Sequence, residues 1–249
     1  MKGKKMAIFH IGAYETDVQG CFSFRNGELF VYGQKVKKPG YYGAEAVLPI
    51  ICSIHEFAQA NGWSIFGSVD RHFYEDAELI RNKGGSFIDH AMNGTKGQLR
   101  LDFLEPQKDI YIKSKEGPLL GTRIYTMAEI QMFINSGMQL IFEKQTYDVA
   151  TNPNFEMAFK MFVEQGLRIM IVYGFATDYC VLAAVLAMLA IKKKYNLDFD
   201  VYVVTDAIEE VNIDFEGNVD MGFGIKALAR MAKAGAKFTT SEDVFSFKY

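Results

Sequence analysis

The 249-residue sequence predicts an α/β protein of three layers (α/β/α), in which helices cover both faces of a mostly parallel β-sheet of about six strands. Two observations predict this class. Apolar runs of strand length alternate along the chain with longer segments that have apolar residues at helical spacing. In addition, 49% of the residues are hydrophobic and 23% are charged, which suits one globular domain with a full core.

The strands are predicted from apolar runs bounded by polar or glycine residues. They cover residues 5–14, 63–70, 138–144, 168–174, 200–207 and 236–240. Between them, apolar residues recur at the spacing of one helix face. The predicted helices cover residues 43–62, 127–137, 154–166, 178–195 and 221–235. This alternation favours a parallel sheet, because each parallel connection must cross back over the sheet.

Two stretches fall outside the alternation. Residues 25–33 have the pattern of a small hairpin, and residues 95–125 are polar and irregular, which indicates an excursion from the domain rather than a linker. No internal repeat, low-complexity tract or domain boundary is recognisable in the sequence. Residues 1–249 are therefore predicted to form one domain.

The composition argues against several classes of protein. A net charge of −3 gives no basic excess for binding a nucleic-acid backbone. Three cysteines without a CxxC pair favour a reducing cytoplasm and no disulfide framework. The first apolar segment contains His10 and lacks a small-residue cleavage site, so it predicts a strand and not a signal peptide. The longest apolar run, Tyr179–Ile191, is too short to span a bilayer.

Reactive side chains follow four of the predicted strands. In chain order they are Asp17, Asp70 with His72, Lys144, and the turn that leads from Gly174 to Cys180. In parallel α/β sheets, ligands bind beyond the carboxyl ends of the strands. We therefore expect these side chains to meet at one edge of the sheet.

Cys180 has two interpretations. Thr177 or Asp178 could cap the following helix, which would place the thiol in the first turn, where free amides and a nearby cation lower its pKa. The thiolate would then be a nucleophile, and the same amides could hold an oxyanion. Alternatively, Cys180 packs as a small apolar residue ahead of a core helix. This window alone favours neither interpretation.

Asp17 and Lys144 also allow both a structural and a chemical role. Lys144 could be solvated or paired with Glu143, and Asp17 could be a turn residue. Together with Cys180, however, they supply what acyl transfer needs. A carboxylate can accept the thiol proton, and an ammonium can stabilise the neighbouring anions.

Asp70, His72 and His90 have the residue types of a metal site. Alternation in an extended segment would put the side chains of Asp70 and His72 on one side, and His90 follows 18 residues later. One carboxylate and two imidazoles suit Zn, Fe or Mn with coordination positions left open. The spacing alone does not decide between a metal site and packed histidines.

Several motifs resemble isochorismatase-like cysteine hydrolases, and in particular the nicotinamidases of that family. The most specific is GFATDYCV at 174–181, which is similar to the family stretch G-x-A-T-D-Y-C-V. The other motifs are TDVQGCF (16–22), DRH (70–72), FIDHAMNGTKGQL (87–99), EKQTYD (143–148) and AGAKFTTSEDV (234–244). The resemblance extends from Lys5 to the end of the chain, apart from an apparent insertion around 95–143.

The resemblance implies the Rossmann-like fold of that family and a catalytic triad of Asp17, Lys144 and Cys180. It implies an oxyanion hole made by the backbone N–H groups of Ala176 and Cys180. It also implies a cis peptide bond between Phe175 and Ala176. The implied reaction is hydrolysis of a carboxamide through a thioester on Cys180.

The resemblance further implies a divalent metal ion, zinc in first place and iron or manganese otherwise. The implied ligands are Asp70, His72 and His90. Glu78 is a further candidate ligand, because it stands where some nicotinamidases have a third histidine. Phe22 and Phe87 fall on the aromatic positions that sandwich the substrate ring in the family, although Phe87 replaces the usual Trp.

Taken with the resemblance, the sequence predicts a cytoplasmic, metal-assisted amidohydrolase, with nicotinamide as the expected substrate and NAD salvage as its context. Two alternatives stay open: a metal-free amidohydrolase of N-carbamoyl, ureido or maleamate-type substrates, and a non-catalytic binding domain on the same fold. The expected partners are a small-molecule amide and further copies of the chain in a homo-oligomer, with residues 124–133 as a candidate contact. Neither nucleic acid nor a membrane is expected as a partner.

Overall fold

Seven parallel strands form one continuous sheet in the computed structural model, which describes residues 10–35, 40–104, 109–117 and 121–247. The strands are β1 (Ile11–Thr16), β2 (Ser64–Asp70), β3 (Asp109–Ile112), β4 (Gln139–Lys144), β5 (Ile169–Phe175), β6 (Asp200–Glu209) and β7 (Lys237–Thr239). Their order across the sheet is β3-β4-β2-β1-β5-β6-β7. Every neighbouring pair is parallel. The start of the strand predicted over 5–14 lies outside the described residues.

Helices pack on both faces of this sheet. Within the described residues they are α1 (Gly20–Ser23), α2 (Ala44–Ala60), α3 (Met127–Asn135), α4 (Phe155–Glu164), α5 (Leu182–Tyr195), α6 (Phe223–Ala234) and α7 (Ser241–Val244). Ile51 of α2 and Met188 of α5 belong to separate cores. These cores lie on opposite faces, because the adjacent β1 residues Ala13 and Tyr14 point into different ones. The predicted three-layer α/β/α fold is confirmed.

The helices also bear on two further expectations. None of those in the described part of the chain is both long and apolar enough to cross a bilayer.

The segment 124–133 contains most of α3, and Ile124, Met127 and Met132 of this segment are exposed. Its role as a contact between copies of the chain stays a prediction.

The sheet has one strand more than the six predicted, because the stretch 95–125, predicted to be irregular, contains β3. This strand has four residues and pairs only with β4 at the sheet edge, so its apolar run is too short to be recognised. The hairpin predicted over 25–33 is wrong. Leu29 and Val31 donate their backbone N–H groups to carbonyls of Cys21 and Phe22, so this segment pairs with α1 instead of with itself.

The turn between β5 and α5 also differs from its prediction. Thr177–Val181 form a single π-helical turn, so α5 begins four residues later than expected. The capping role predicted for Thr177 or Asp178 is wrong. The Asp178 carboxylate instead accepts hydrogen bonds from the backbone N–H groups of Val211 (2.9 Å) and Asn212 (2.7 Å), in the loop after β6. A π-helical turn of this kind is frequent at functional sites.

The predicted strand-end residues lie on adjacent strands. β4, β2, β1 and β5 are consecutive in the middle of the sheet. Their carboxyl ends carry, in the same order, Lys144, Asp70, Asp17 and the turn that contains Cys180. The topology therefore brings together four positions that are up to 163 residues apart in the chain, counting from Asp17 to Cys180.

Gly174, near the end of β5, allows the ends of β5 and β1 to approach each other. Its φ is +111°, a conformation that favours glycine, and a Cβ atom here would lie 2.1 Å from the carbonyl oxygen of Thr16. That carbonyl is backbone and cannot move without displacing β1. A side chain at Gly174 would therefore push apart the strand ends that lead to Asp17 and Cys180.

Gly174→Ala is expected to destabilise the protein by more than about 3 kcal/mol, because the new methyl group meets fixed backbone as well as an unfavourable φ. Gly235→Ala is the matched control, since Gly235 has a φ of +107° but no atom within 4 Å of the place where its methyl group would lie. Only the backbone strain applies there, at roughly 1 kcal/mol. Urea unfolding measures both, and equal losses of stability would contradict the steric argument.

Candidate active site

The three residues of the predicted triad meet at the carboxyl edge of the sheet. The Nζ atom of Lys144 lies 2.8 Å from Oδ2 of Asp17 and 3.6 Å from Sγ of Cys180. Lys144 and Asp17 are inaccessible to solvent, and Cys180 is 7% exposed. A thiol, a carboxylate and an ammonium from three different strand ends therefore form one buried cluster.

Asp70, at the end of β2, is the second partner of the Lys144 ammonium. Asp17 and Asp70 approach this one cation from neighbouring strands, and ligand atoms of Asp17, Asp70 and Cys180 all lie within 4.8 Å of one another. The ammonium reduces the cost of burying two carboxylates side by side, which would otherwise repel each other.

The buried environment determines the protonation of this cluster. Burial raises the pKa of Cys180 well above its usual value, and Lys144 offsets only part of that rise. Burial likewise raises the pKa of Asp17. Burial also acts to raise the pKa of Asp70, but Lys144 and the neighbouring histidines outweigh it and the net shift is downward. The expectation that the helix start and a cation lower the thiol pKa is therefore wrong, because desolvation is larger.

These shifts define a proton-transfer pair. With its pKa raised, Asp17 is a stronger base than an ordinary carboxylate, and the thiol of Cys180 lies within hydrogen-bonding reach of it. A neutral thiol beside a carboxylate and an ammonium can lose its proton when an electrophile arrives. The cluster has the components of nucleophilic catalysis by cysteine.

Two buried polar residues that the sequence analysis did not identify hold the carboxylates in place. Ser68 Oγ donates a hydrogen bond to Oδ1 of Asp17 (2.9 Å). The side chain of Gln19 accepts a hydrogen bond from the backbone N–H of Asp70 (2.7 Å) and donates one to its carbonyl (2.8 Å). In the sequence, Ser68 could have been recognised as a polar residue within an apolar strand. Gln19 could have been recognised as a polar residue within the TDVQGCF motif.

Asp70, His72 and His90 form a second cluster beside the triad. Oδ2 of Asp70 lies 3.9 Å from Nε2 of His72 and 3.5 Å from Nε2 of His90. The three side chains are buried, and each has a ligand atom within 4.8 Å of the others. The Nδ1 atom of His90 lies 2.7 Å from the carbonyl oxygen of Ile88. A ring that donates from Nδ1 to this carbonyl keeps its Nε2 lone pair directed at the cluster.

Glu78 lies at the edge of the second cluster. Its Oε1 atom accepts a hydrogen bond from the backbone N–H of Tyr147 (3.0 Å), and its Oε2 atom lies 3.9 Å from Nε2 of His72. Oε2 is buried and has no hydrogen-bond partner among the described residues. Burial, together with the charge of Asp70, raises the pKa of Glu78 to about 7. The unpaired oxygen keeps Glu78 as a candidate ligand.

A pocket with an empty volume of about 370 Å³ lies in front of Cys180. Five aromatic residues contribute to its lining: Phe22, Phe87, Tyr147, Phe175 and Tyr179. The ring centroids of Phe22 and Phe87 lie 5.5 Å and 6.0 Å from that of His90. The structure thus places both predicted substrate-binding residues against the second cluster, in a pocket with aromatic side chains in its lining.

The predicted oxyanion hole lies at the same pocket. Ala176 and Cys180 both line it, and the peptide bond between Phe175 and Ala176 is cis, as predicted. Use of the two backbone N–H groups to hold an oxyanion stays a prediction.

Comparison with known proteins bears on the class of protein that this fold and site define. Residues 135–243, which include Lys144 and Cys180, match the family model of the isochorismatase domain. No curated protein shows significant sequence similarity to the chain. The domain match and the fold agree with the resemblance to the isochorismatase-like family that the motifs of the sequence indicate.

The solved structures with the same fold include nicotinamidases or pyrazinamidases and an N-carbamoylsarcosine amidase. A pyrazinamidase of Pyrococcus horikoshii in complex with zinc has 18% identity and a TM-score of 0.61, with 93% of this chain and 99% of that chain covered. A nicotinamidase/pyrazinamidase of Acinetobacter baumanii has 17% identity and a TM-score of 0.64, with coverage of 95% and 98%. An N-carbamoylsarcosine amidase of Thermoplasma acidophilum has 18% identity and a TM-score of 0.56, with coverage of 93% and 96%. At these identities the likeness establishes the fold alone.

Lys144→Met is expected to destabilise the metal-free protein by about 3–5 kcal/mol at pH 7, because it leaves Asp17 and Asp70 buried without their cation. Lys160→Met is the control, since Lys160 pairs with Glu164 on the surface and its loss should change stability by less than about 0.5 kcal/mol. Urea unfolding of both variants measures the difference. A stable Lys144→Met variant would show that the ammonium does not hold the cluster together.

Proposed function

We propose that this chain is a cysteine amidohydrolase that converts the carboxamide of a small, uncharged aromatic ring into the acid and ammonia, with nicotinamide as the first candidate. One observation carries the proposal: Cys180, Lys144 and Asp17 form a buried cluster at one side of an aromatic pocket. The packing interpretation of Cys180 does not explain why a buried ammonium and two carboxylates surround the thiol. Two of the enzymes with a similar fold are named for activity on pyrazinamide or nicotinamide, which supports the same choice of substrate.

In the first half of the proposed reaction, Asp17 accepts the proton of the Cys180 thiol while Sγ attacks the carboxamide carbon. The carbonyl π electrons move to the oxygen, which accepts hydrogen bonds from the backbone N–H groups of Ala176 and Cys180. When the tetrahedral intermediate collapses, the C–N bond breaks and Asp17 returns its proton to the leaving nitrogen. Ammonia departs and a thioester on Cys180 remains.

In the second half, water attacks the thioester and Asp17 accepts a proton from it. The C–S bond then breaks, the proton returns to Sγ, and the carboxylic acid leaves. Lys144 keeps its positive charge throughout and stabilises whichever of Asp17 and Cys180 is negatively charged. The balance is one amide and one water consumed for one acid and one ammonia.

Asp70, His72 and His90 fit a divalent metal ion, and the polar atoms left unpaired around them support this proposal. Nε2 of His72 and Oε2 of Glu78 are buried without a hydrogen-bond partner among the described residues. Buried polar atoms are normally satisfied, and a cation would accept these lone pairs. Zinc is our first choice because two imidazoles and a carboxylate with an open position are a common zinc set. When bound, the ion would supply Lewis-acid chemistry beside the substrate.

The charges around the pocket favour an uncharged substrate over the anionic alternatives. N-carbamoyl amino acids and maleamate carry a carboxylate, which needs a cationic partner when it is buried. Apart from the proposed metal ion, whose positive charge Asp70 and Glu78 offset, the described lining contains no cation, since it has no Lys or Arg. The nearby ammonium of Lys144 is already held by two carboxylates. Nicotinamide is neutral at pH 7 and presents a flat ring to the aromatic walls.

Cys180→Ala is expected to lower the rate of ammonia release from nicotinamide by at least about 10⁴-fold, because no other described group at the pocket replaces the nucleophile. Cys52→Ala is the matched control, since Cys52 is a partly exposed thiol on α2. It should keep wild-type activity, and both variants should unfold at similar urea concentrations. Ammonia release that survives in Cys180→Ala would overturn the mechanism.

A substrate panel tests the charge argument separately. We expect kcat/KM for nicotinamide to exceed that for N-carbamoylsarcosine and for maleamate by at least about 100-fold, since an unpaired buried carboxylate costs several kcal/mol. The measurement is ammonia release at equal enzyme concentration, with zinc added and with a chelator. Faster turnover of an anionic substrate, unaffected by the chelator, would favour the metal-free amidohydrolase instead.

A further inference from the structure

We infer that Asp76 and Lys115 are positioning residues for His72, and that the segment beyond β3 contributes to the metal site through Lys115. The inference rests on the metal site in the proposed function. Two residues outside the predicted ligand set would thereby contribute to metal affinity, and they would act through the ring of His72.

Asp76 is fixed in the tight turn that follows β2. Its Oδ2 atom accepts a hydrogen bond from the backbone N–H of Phe73 (2.8 Å), and the backbone N–H of Asp76 donates to the carbonyl of Phe73 (3.0 Å). The side chain is almost fully buried, and the same Oδ2 atom lies 3.4 Å from Nδ1 of His72. Asp76 therefore presents an immobilised acceptor to the Nδ1 side of the His72 ring, whereas Asp70 lies at Nε2.

Lys115 reaches Asp76 from the other side. Its Nζ atom lies 2.5 Å from Oδ1 of Asp76, and it also lies over the ring of Phe73, 5.6 Å from the centroid. The Lys115 side chain is 29% exposed, whereas the Asp76 side chain is 2% exposed. The partly exposed ammonium group of Lys115 thus partly neutralises the buried carboxylate of Asp76 beside His72.

The segment that carries Lys115 is anchored on both sides of this residue. β3 ends at Ile112 and pairs with β4, whose last residue is Lys144. Beyond β3, the side chain of Asn154 donates hydrogen bonds to the carbonyls of Lys113 (3.1 Å) and Arg123 (3.0 Å). The described residues on both sides of Lys115 are therefore bound to β4 and Asn154 next to the site, which keeps Lys115 close to Asp76.

This arrangement has a chemical consequence for His72. A neutral imidazole that binds a metal through Nε2 must carry its proton on Nδ1, and a carboxylate that accepts this proton fixes both the tautomer and the ring orientation. Nδ1 of His72 makes no hydrogen bond among the described residues, and Oδ2 of Asp76, 3.4 Å away, is a carboxylate oxygen placed to accept its proton. His90 has the equivalent partner in the carbonyl oxygen of Ile88, 2.7 Å from its Nδ1. An oxygen atom therefore faces Nδ1 of both histidines: a backbone carbonyl at hydrogen-bond distance for His90, and the Asp76 carboxylate at 3.4 Å for His72.

The test measures zinc affinity, so it does not depend on the reaction. Chelator-treated wild-type protein and variants are titrated with Zn²⁺ against a chromophoric competitor, and with Co²⁺ to record the absorption of the bound ion. Asp76→Asn keeps the size of the side chain and an oxygen for the Phe73 amide but loses the charge. It is expected to weaken zinc binding about 10- to 100-fold and to alter the Co²⁺ spectrum.

The variants of Lys115 separate the ion pair from the fold of the segment. Lys115→Met keeps most of the packing on Phe73 and is expected to weaken zinc binding several-fold, whereas Lys115→Arg should restore the wild-type value. Lys113→Met is the matched control, because Lys113 pairs with Glu116 (3.9 Å) and makes no ion pair with Asp76 among the described contacts. It should bind zinc as the wild type does.

Three results would count against the inference, and they differ in what they say about the proposed function. Wild-type affinity in Asp76→Asn and Lys115→Met, with normal zinc binding by the wild type, would exclude the positioning role and leave the metal site intact. A wild-type protein that binds neither Zn²⁺ nor Co²⁺ would remove both the positioning role and the metal-assisted form of the proposed function. Loss of zinc binding in Lys113→Met as well would also count against the inference, because the segment would then act only through its fold.

Discussion

The ammonium group of Lys144 lies between the carboxylates of Asp17 and Asp70 with no access to solvent, and the thiol of Cys180 is 3.6 Å away. Removing an ion from water costs several kcal/mol, and removing two like charges costs more unless an opposite charge lies between them. The two carboxylates and the ammonium are each tolerated only because the others are present. The ends of β1, β2 and β4 are therefore bound to one another by charge as well as by the sheet.

This interaction also links the two halves of the site. Asp17 faces the thiol, whereas Asp70 faces His72 and His90, and one cation holds both carboxylates. A change of charge at Asp70, His72 or His90 therefore alters the electric field at the Cys180 thiol, even where the backbone does not move. Desolvation, which raises the pKa of the thiol, favours the protonated form of Cys180. Such a thiol is protected from adventitious reaction, since the thiolate is the reactive form.

The sequence predicted the sheet, most of its elements and the strand-end residues of the site, because apolar runs and strand ends are local features, whereas Phe22, Phe87 and Glu78 came only from the family resemblance. It did not predict β3, whose four residues form a strand only through pairing with β4. It also misassigned residues 25–33, where the backbone of Leu29 and Val31 bonds to α1 rather than forming a hairpin. In both cases the deciding hydrogen bonds connect segments whose pairing no local pattern records.

Taken alone, the sequence determined the class of fold and the chemical types of the site residues, since side-chain chemistry and the periodicity of burial are properties of the chain itself. Only the tertiary structure decided that the Asp178 carboxylate accepts from the loop after β6, that Ser68 holds Asp17, and that Lys115, beyond β3, reaches Asp76 next to His72. Those contacts depend on which strands are neighbours. The balance between desolvation and charge that sets the pKa of Cys180 has the same origin, because burial is a property of the assembled domain and not of any window of its sequence.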